Sequence, residues 1–293
     1  ESLGAFLWGR RADIEPDEHG KVAVLPAHRS RGAATVLMRE TVIDMRAAGF
    51  PLSTLYPATQ PLYRGAGYER AGAEYRVEVQ ARAFTGGDRE LSVRATTEAD
   101  QPAGEECYRR RARACNGHLD RGPYLWKRIL RPMSTTADGY VVEGDAGIEG
   151  HLCYTTREVE GDTDFALWCP DLVALTPRAA RRFVAFFADH RSMTGEVAWR
   201  GSPADPLLAV MREQHGAKVR LSNVWMLRVV DVPAALAQRG WGPGVAGELH
   251  LDVTGDEIFP ENAGRWVVRV ADGRAEAERG GRGTLRTDIR GLA

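Results

Sequence analysis

Val22-Ala23-Val24-Leu25-Pro26-Ala27-His28-Arg29-Ser30-Arg31-Gly32-Ala33-Ala34 decides how this chain is read. A short β-prone apolar run over residues 20–25 delivers the chain into a polar, basic turn at 26–31, and Gly32 opens a segment that runs to about Ala48. In that segment Ala34, Leu37, Met38, Val42 and Met45 recur at three- and four-residue spacing, the apolar stripe of an amphipathic helix. Gly49 is its natural stop, ahead of Phe50-Pro51. A strand that enters such a turn aims several unpaired backbone N–H groups at one point, and the helix dipole adds positive potential there. That geometry suits a phosphate. Arg29 and Arg31 can add charge-assisted donors, while Gly32, Ala33 and Ala34 leave room for a pyrophosphate to reach the backbone.

Outward from this segment, residues 52–56 predict a second strand, a short helical piece follows around Pro61-Leu62-Tyr63-Arg64, and residues 74–79 alternate as a half-exposed strand. Phe84-Thr85-Gly86-Gly87-Asp88 reads as a linker. Beyond it, strands are expected at 91–94, 140–142, 151–154, 165–168 and 223–230. Helices are expected at 100–115, from Pro177 through Ala180, Phe183, Val184 and Phe187, and at 206–215. This looks like a second α/β domain of related design. A third, α+β region carries a helix at 233–239, a strand at 248–253, and a hairpin over 265–270 and 275–278 turned by Asp272-Gly273.

Length and composition fit this plan. The 293 residues argue for two or three domains, and 43% hydrophobic with 27% charged residues describes packed cores under a charged surface. A formal net charge of −1 removes any global pull toward nucleic acid or an anionic membrane. With no long apolar run and no signal-peptide pattern at Glu1-Ser2-Leu3-Gly4, a cytoplasmic location is the default expectation. Cys107, Cys115, Cys153 and Cys169 form no C-x-x-C pair and read as free thiols, and the seven histidines show no paired ligand spacing, so no metal is proposed. Arg109-Arg110-Arg111-Ala112-Arg113 lacks interleaved aromatics and reads as a solvated helix face. Asp252, Thr254, Asp256 and Glu257 read as a plain turn, since their spacing fits no EF-hand.

The segment Arg29-x-x-Gly32-x-Ala34 resembles motif A of the GNAT N-acetyltransferases, R-x-x-G-x-[GA]. The fuller form V-A-V-x-P-x-H-R-x-R-G is similar to the Eis (enhanced intracellular survival) family. The resemblance implies an α/β fold of tandem GNAT-like domains, each a mixed sheet flanked by helices, followed by an α+β sterol-carrier-like domain. On this sequence they divide as 1–86, 87–229 and 230–293. Acetyl-CoA is then the implied co-substrate. Val22, Ala23 and Val24 would contact its pantetheine, and Arg29, Ser30, Arg31, Gly32, Ala33, Ala34 and Thr35 would surround its pyrophosphate. Ser30 stands where many relatives have arginine. Ala58 and Thr59 match a cofactor-contacting pair that relatives more often fill with Ser and an acid.

Tyr63 occupies the place of the family's Y-x-x-x-G-[FY] tyrosine, with Gly67 and Tyr68 completing the motif. A neutral amine attacks the thioester carbonyl, the C–S bond breaks, and the departing thiolate needs a proton. A phenol of pKa about 10 is still protonated at neutral pH and can supply it to a thiol of pKa about 8.5. Tyr63 is therefore the expected general acid, Tyr68 a packing tyrosine. The resemblance implies aminoglycoside- or polyamine-like amine substrates and a homo-oligomer, with a hexamer as one form it could take; by its net charge the chain is expected to have neither nucleic acid nor membrane as partner. Relatives use their own terminal carboxylate as base, and the role is not assigned to Ala293, because the plan calls for more residues at each end. The turn Thr176-Pro177-Arg178-Ala179-Ala180 lacks the glycine, so no acetyl-CoA is expected in the second domain. Two alternatives stay open: a catalytically lapsed GNAT-fold scaffold, motivated by Ser30, Ala58 and Thr59, and an acyltransferase using another acyl-CoA.

Overall fold

Helix α1, Ala33–Ala47, forms where the apolar spacing placed it and buries Met38, Val42 and Met45. Leu37, expected on the same face, is 41% exposed and lies off the buried stripe. The computed structural model describes residues 32–115, 117–132, 135–145, 147–159, 164–242 and 244–293. The expected strand at 20–25 and the turn to Arg31, with Val22, Ala23, Val24, Arg29, Ser30 and Arg31, lie outside the described residues. After α1 come β1 (Leu52–Leu55), α2 (Gln60–Arg64) and β2 (Glu69–Gln80). β2 starts earlier than its apolar alternation, because Gly72 lets the Trp225 ring lie against the backbone; a Cβ there would fall 2.4 Å from the indole.

The chain divides into two units, residues up to Gly72 with Val224–Ala293, and Ala73–Asn223. In the first, β1 pairs antiparallel with the end of β8 (Ala217–Val229), in register from Leu52↔Val229 to Leu55↔Met226. Helix α7 (Val232–Gln238) follows. A four-stranded sheet comes next, of β9 (Gly247–Val253), β10 (Gly264–Ala271), β11 (Arg274–Arg279) and β12 (Leu285–Thr287), ordered β11-β10-β9-β12. The hairpin turn Asp272-Gly273 has positive φ at both residues, 51° and 75°, the mirror-image turn that fits the twist of its strands. One apolar cluster joins α7 to this sheet through Val232, Leu236, Leu251, Trp266 and Val268. A second joins Met38, Val42, Tyr63, Ala66, Tyr68, Met226 and Phe259.

The other unit holds β3 (Ser92–Ala95), α3 (Gln101–Arg113), α4 (Pro123–Leu130), β4 (Asp138–Gly144), β5 (Gly147–Glu158), β6 (Phe165–Ala174), α5 (Pro177–His190), β7 (Thr194–Gly201) and α6 (Pro206–Val210). Its strands run β2-β7-β6-β5-β4-β3, with β6 and β7 parallel and the other pairs antiparallel. The period of two sends Leu152 and Leu172 to a cluster with Phe183 and Phe187 of α5, and sends Cys153 and Val173 to an opposite cluster with Cys107 and Trp126 of α3 and α4. At the base of this unit the Asn223 amide donates to the Glu74 carboxylate at 3.3 Å.

Four readings need correction. The segment expected as a linker is packed: Phe84 is fully buried, and Gly87, at φ 73°, leaves no room for a Cβ against the backbone of α5. Helix α6 stops at Val210 rather than continuing to His215, because Met211 turns extended and residues 211–215 offer no apolar repeat. Helix α4, whose two turns behind Gly122-Pro123 read as a break, and strand β7, between glycines, were not anticipated. No described helix is long and apolar enough to cross a membrane.

Candidate active site

Helix α1 starts at a glycine in the left-handed region. Gly32 takes φ 77°, a left-handed conformation that side chains resist, and Val36 N–H closes the first turn on its carbonyl at 3.0 Å. The N–H groups of Ala33, Ala34 and Thr35 precede that bond, in the turn where a helix offers its own amides no acceptor. Among the described residues no acidic side chain lies in the first turn, and no side chain caps it. Gly32, Ala33 and Thr35 are exposed, and a Cβ built on Gly32 meets nothing within 4 Å. Ala58 and Thr59 are also exposed, on the loop between β1 and α2, where Thr59 takes an extended conformation at the N-cap.

Tyr63 sits on α2, with 7% of its surface exposed, and α2 packs on α1. The turn behind it is fixed by backbone bonds from Ala66 N–H (2.9 Å) and Tyr68 N–H (3.1 Å) to the Tyr63 carbonyl. Tyr68 is fully buried, meets Tyr63 edge to face at 6.1 Å, and shares a 2.8 Å hydrogen bond with the Ser53 hydroxyl. Burial pushes its phenol up to about 12, against the opposing Ser53 bond and Arg228 charge, which suits packing rather than proton transfer.

Beneath this turn lies a network that sequence reasoning did not assemble. Arg228 is wholly buried, with Nη2 donating to both oxygens of Asp256 at 2.6 and 2.7 Å. A Cβ on Gly67, at φ 84°, would fall 2.8 Å from that guanidinium, so the glycine is what lets the turn settle over the arginine. Asp256, read as part of a plain turn, also accepts from the Ile258 and Phe259 amides at 3.1 Å. Buried Asn262 donates to Asp256 (2.9 Å) and to the Val230 carbonyl (3.0 Å). The available signal was Arg228 itself, a lone charge in Trp225-Met226-Leu227-Arg228-Val229-Val230; a charge in an apolar strand needs a partner.

The fold aligns with a GCN5-related N-acetyltransferase from Anabaena variabilis at a TM-score of 0.87 and 35% identity, over 92% of this chain and 69% of that one. This chain belongs to the GCN5-related N-acetyltransferase family. Residues 17–71 and 117–229 each match the model of an acetyltransferase (GNAT) domain, and residues 232–293 match that of a sterol carrier protein domain. An uncharacterised N-acetyltransferase of Streptomyces coelicolor is 28% identical over 282 residues, 88% of this chain and 65% of its own length. The N-acetyltransferase Eis of Mycobacterium tuberculosis is 26% identical over 280 residues, 87% of this chain and 63% of its own. Two GNAT domains ahead of a sterol carrier domain make this an Eis-like GNAT. The chain spans somewhat less than two thirds of the length of these curated relatives.

The two GNAT domains treat their helix starts in opposite ways. At α5 the Thr176 hydroxyl accepts from Ala179 N–H at 3.2 Å and donates to Glu149 at 2.6 Å, and the Arg178 guanidinium holds the same carboxylate through two bonds. Glu149 is 8% exposed, and its carboxyl is held below the usual carboxylate range by the Arg178 and Thr176 hydrogen bonds, against the cost of burial. At α5 the Thr176 hydroxyl thus caps a first-turn amide and a carboxylate is held beside it by side-chain bonds, whereas the first turn of α1 carries no acidic side chain and no side-chain cap among the described residues.

Proposed function

We propose that this GNAT chain transfers acetyl from acetyl-CoA to a primary amine of the polyamine or aminoglycoside type. The contrast between the two helix starts carries the reading: among the described residues the first turn of α1 has neither an acidic side chain nor a side-chain cap, whereas at α5 Thr176 caps Ala179 and binds Glu149. In this scheme Gly32, Ala33, Ala34 and Thr35 hold the pyrophosphate, with Arg29, Ser30 and Arg31 beside them. Val22, Ala23 and Val24 line the pantetheine, and Ala58 and Thr59 border the site through their backbone. As the amine nitrogen bonds to the acetyl carbon and the C–S bond breaks, Tyr63 gives its proton to the departing thiolate, and the proton that the nitrogen sheds returns through solvent to the tyrosinate. No metal enters the scheme. A homo-oligomer is the assembly that the Eis-like organisation suggests.

Calorimetric titration of acetyl-CoA and CoA into the intact chain tests the cofactor half. Gly32→Glu, which puts a carboxylate at the amide cluster and strains a positive φ, is expected to weaken binding by at least about tenfold, roughly 1.4 kcal/mol. Failure of the wild type to bind either molecule overturns the proposal. A thiol-release assay over a panel of amines tests the chemistry: Tyr63→Phe is expected to keep acetyl-CoA affinity and lose turnover by about 10²-fold or more. Full turnover in Tyr63→Phe would remove the acid assignment.

A further inference from the structure

Between α3 and α4 the chain forms a cavity of about 360 Å³, within the range of small-ligand sites. Pro123, Trp126 and Leu130 give it an apolar wall, and Arg121, Lys127 and Arg131 border it. The acidic lining residue, Glu105, is already engaged, accepting from Gln101 at 3.0 Å and lying 3.8 Å from Arg109. Lys127 and Arg131 form no ion pair among the described residues. The charge left facing the space is positive.

Arg121 is the best-placed of the cations. Its guanidinium stacks on Tyr108, 3.4 Å from the ring centroid, and lies 4.9 Å from that of Trp126. Its Nη1 pairs with the buried Asp171 carboxylate at 2.9 Å. Asp171 does not depend on it alone, because the His151 ring approaches the other carboxylate oxygen at 3.3 Å. Burial penalises the imidazolium, and the bond to Asp171 with the contact to Cys153 outweighs that penalty, holding His151 up to about 10. Asp171 thus faces both Arg121 and His151, so an anion sharing the Arg121 guanidinium would not leave that carboxylate bare.

We propose that this cavity is a binding site for a small organic carboxylate with an apolar body, its carboxylate on Arg121, Lys127 and Arg131 and its body against Trp126 and Leu130. An inorganic ion would satisfy the cations and leave the apolar wall wet; a neutral apolar molecule would leave the cations unpaired.

Benzoate, acetate, benzyl alcohol and inorganic phosphate, titrated calorimetrically into the intact chain at low ionic strength, test the proposal. Benzoate is expected to bind one-to-one with a Kd on the order of 1 mM or tighter. Acetate, benzyl alcohol and phosphate are each expected to bind about tenfold or more weakly. Lys127→Ser/Arg131→Ser, both on exposed positions, is expected to weaken benzoate about tenfold, and Leu130→Trp, which fills the cavity, to abolish it. Thermal midpoints and acetyl-CoA titrations of the variants report folding and the transferase site separately. Absence of benzoate binding, benzoate binding unchanged in both folded variants, or phosphate or benzyl alcohol binding as tightly as benzoate overturns the proposal.

Discussion

Burying Arg228 with no exposed surface carries a desolvation cost of several kcal/mol, and Asp256 offsets it only while both of its oxygens face the guanidinium. Asp256→Ala is therefore expected to destabilise the protein by about 3–5 kcal/mol in urea denaturation, and the pair Arg228→Met/Asp256→Leu by much less, since it leaves no uncompensated charge. At Gly67, alanine meets both a positive φ and the arginine beneath, so Gly67→Ala should cost on the order of 1–3 kcal/mol. His151 supplies a pH signature. Its folded value, about 10, lies above its ordinary 6.5, so its contribution is full below about pH 6.5 and is lost as pH rises toward 10. Urea midpoints measured from pH 7 to 9 should fall in the wild type and flatten in His151→Gln. Cys107, pushed up to about 12 by burial, adds its own slope only from about pH 9 upward. Asp171, held below the carboxylate range, acts with the opposite sign, at acid pH.

Helices α1 and α5 show how two starts of one plan diverge through a few side chains. Thr176→Ala removes an N-cap, worth about 1 kcal/mol, and one of the partners that hold Glu149 in place, so thermal denaturation should register at least the cap. Sequence periodicity made α1 and α5 legible because each is several turns long and keeps one apolar face. It likewise made the Asp272-Gly273 hairpin legible, because two positive φ values demand residues of that kind. The two turns of α4 gave too short a window, and Pro123 read as a break when it serves as a helix start. Within the candidate site, Tyr63 and the helix start at Gly32 were located from local motifs. Arg228 and Asp256 could not be paired in advance, since 28 residues separate them and nothing local prefers one acid over its neighbours.

At the scale of the molecule, the unit that carries Tyr63 is made from both ends of the described chain, with residues 73–223 intervening. Its apolar cluster around Tyr63 takes Met226, Val230 and Phe259 from the far side of that insertion. Deleting residues 232–293 removes Phe259 and Asp256 together. Hydrogen exchange should then show α1, α2 and β1 losing protection while β4 to β7 retain it. Joining two segments across an open chain of about 150 residues costs roughly 4 kcal/mol in closure entropy. The hydrogen bond from Asn223 to Glu74 marks where that cost is met. Once Ala73–Asn223 has folded, its two ends emerge side by side, and the halves of the Tyr63 unit are already tethered within reach. Prior folding of Ala73–Asn223 is therefore expected to turn assembly of the Tyr63 unit into a short-range event.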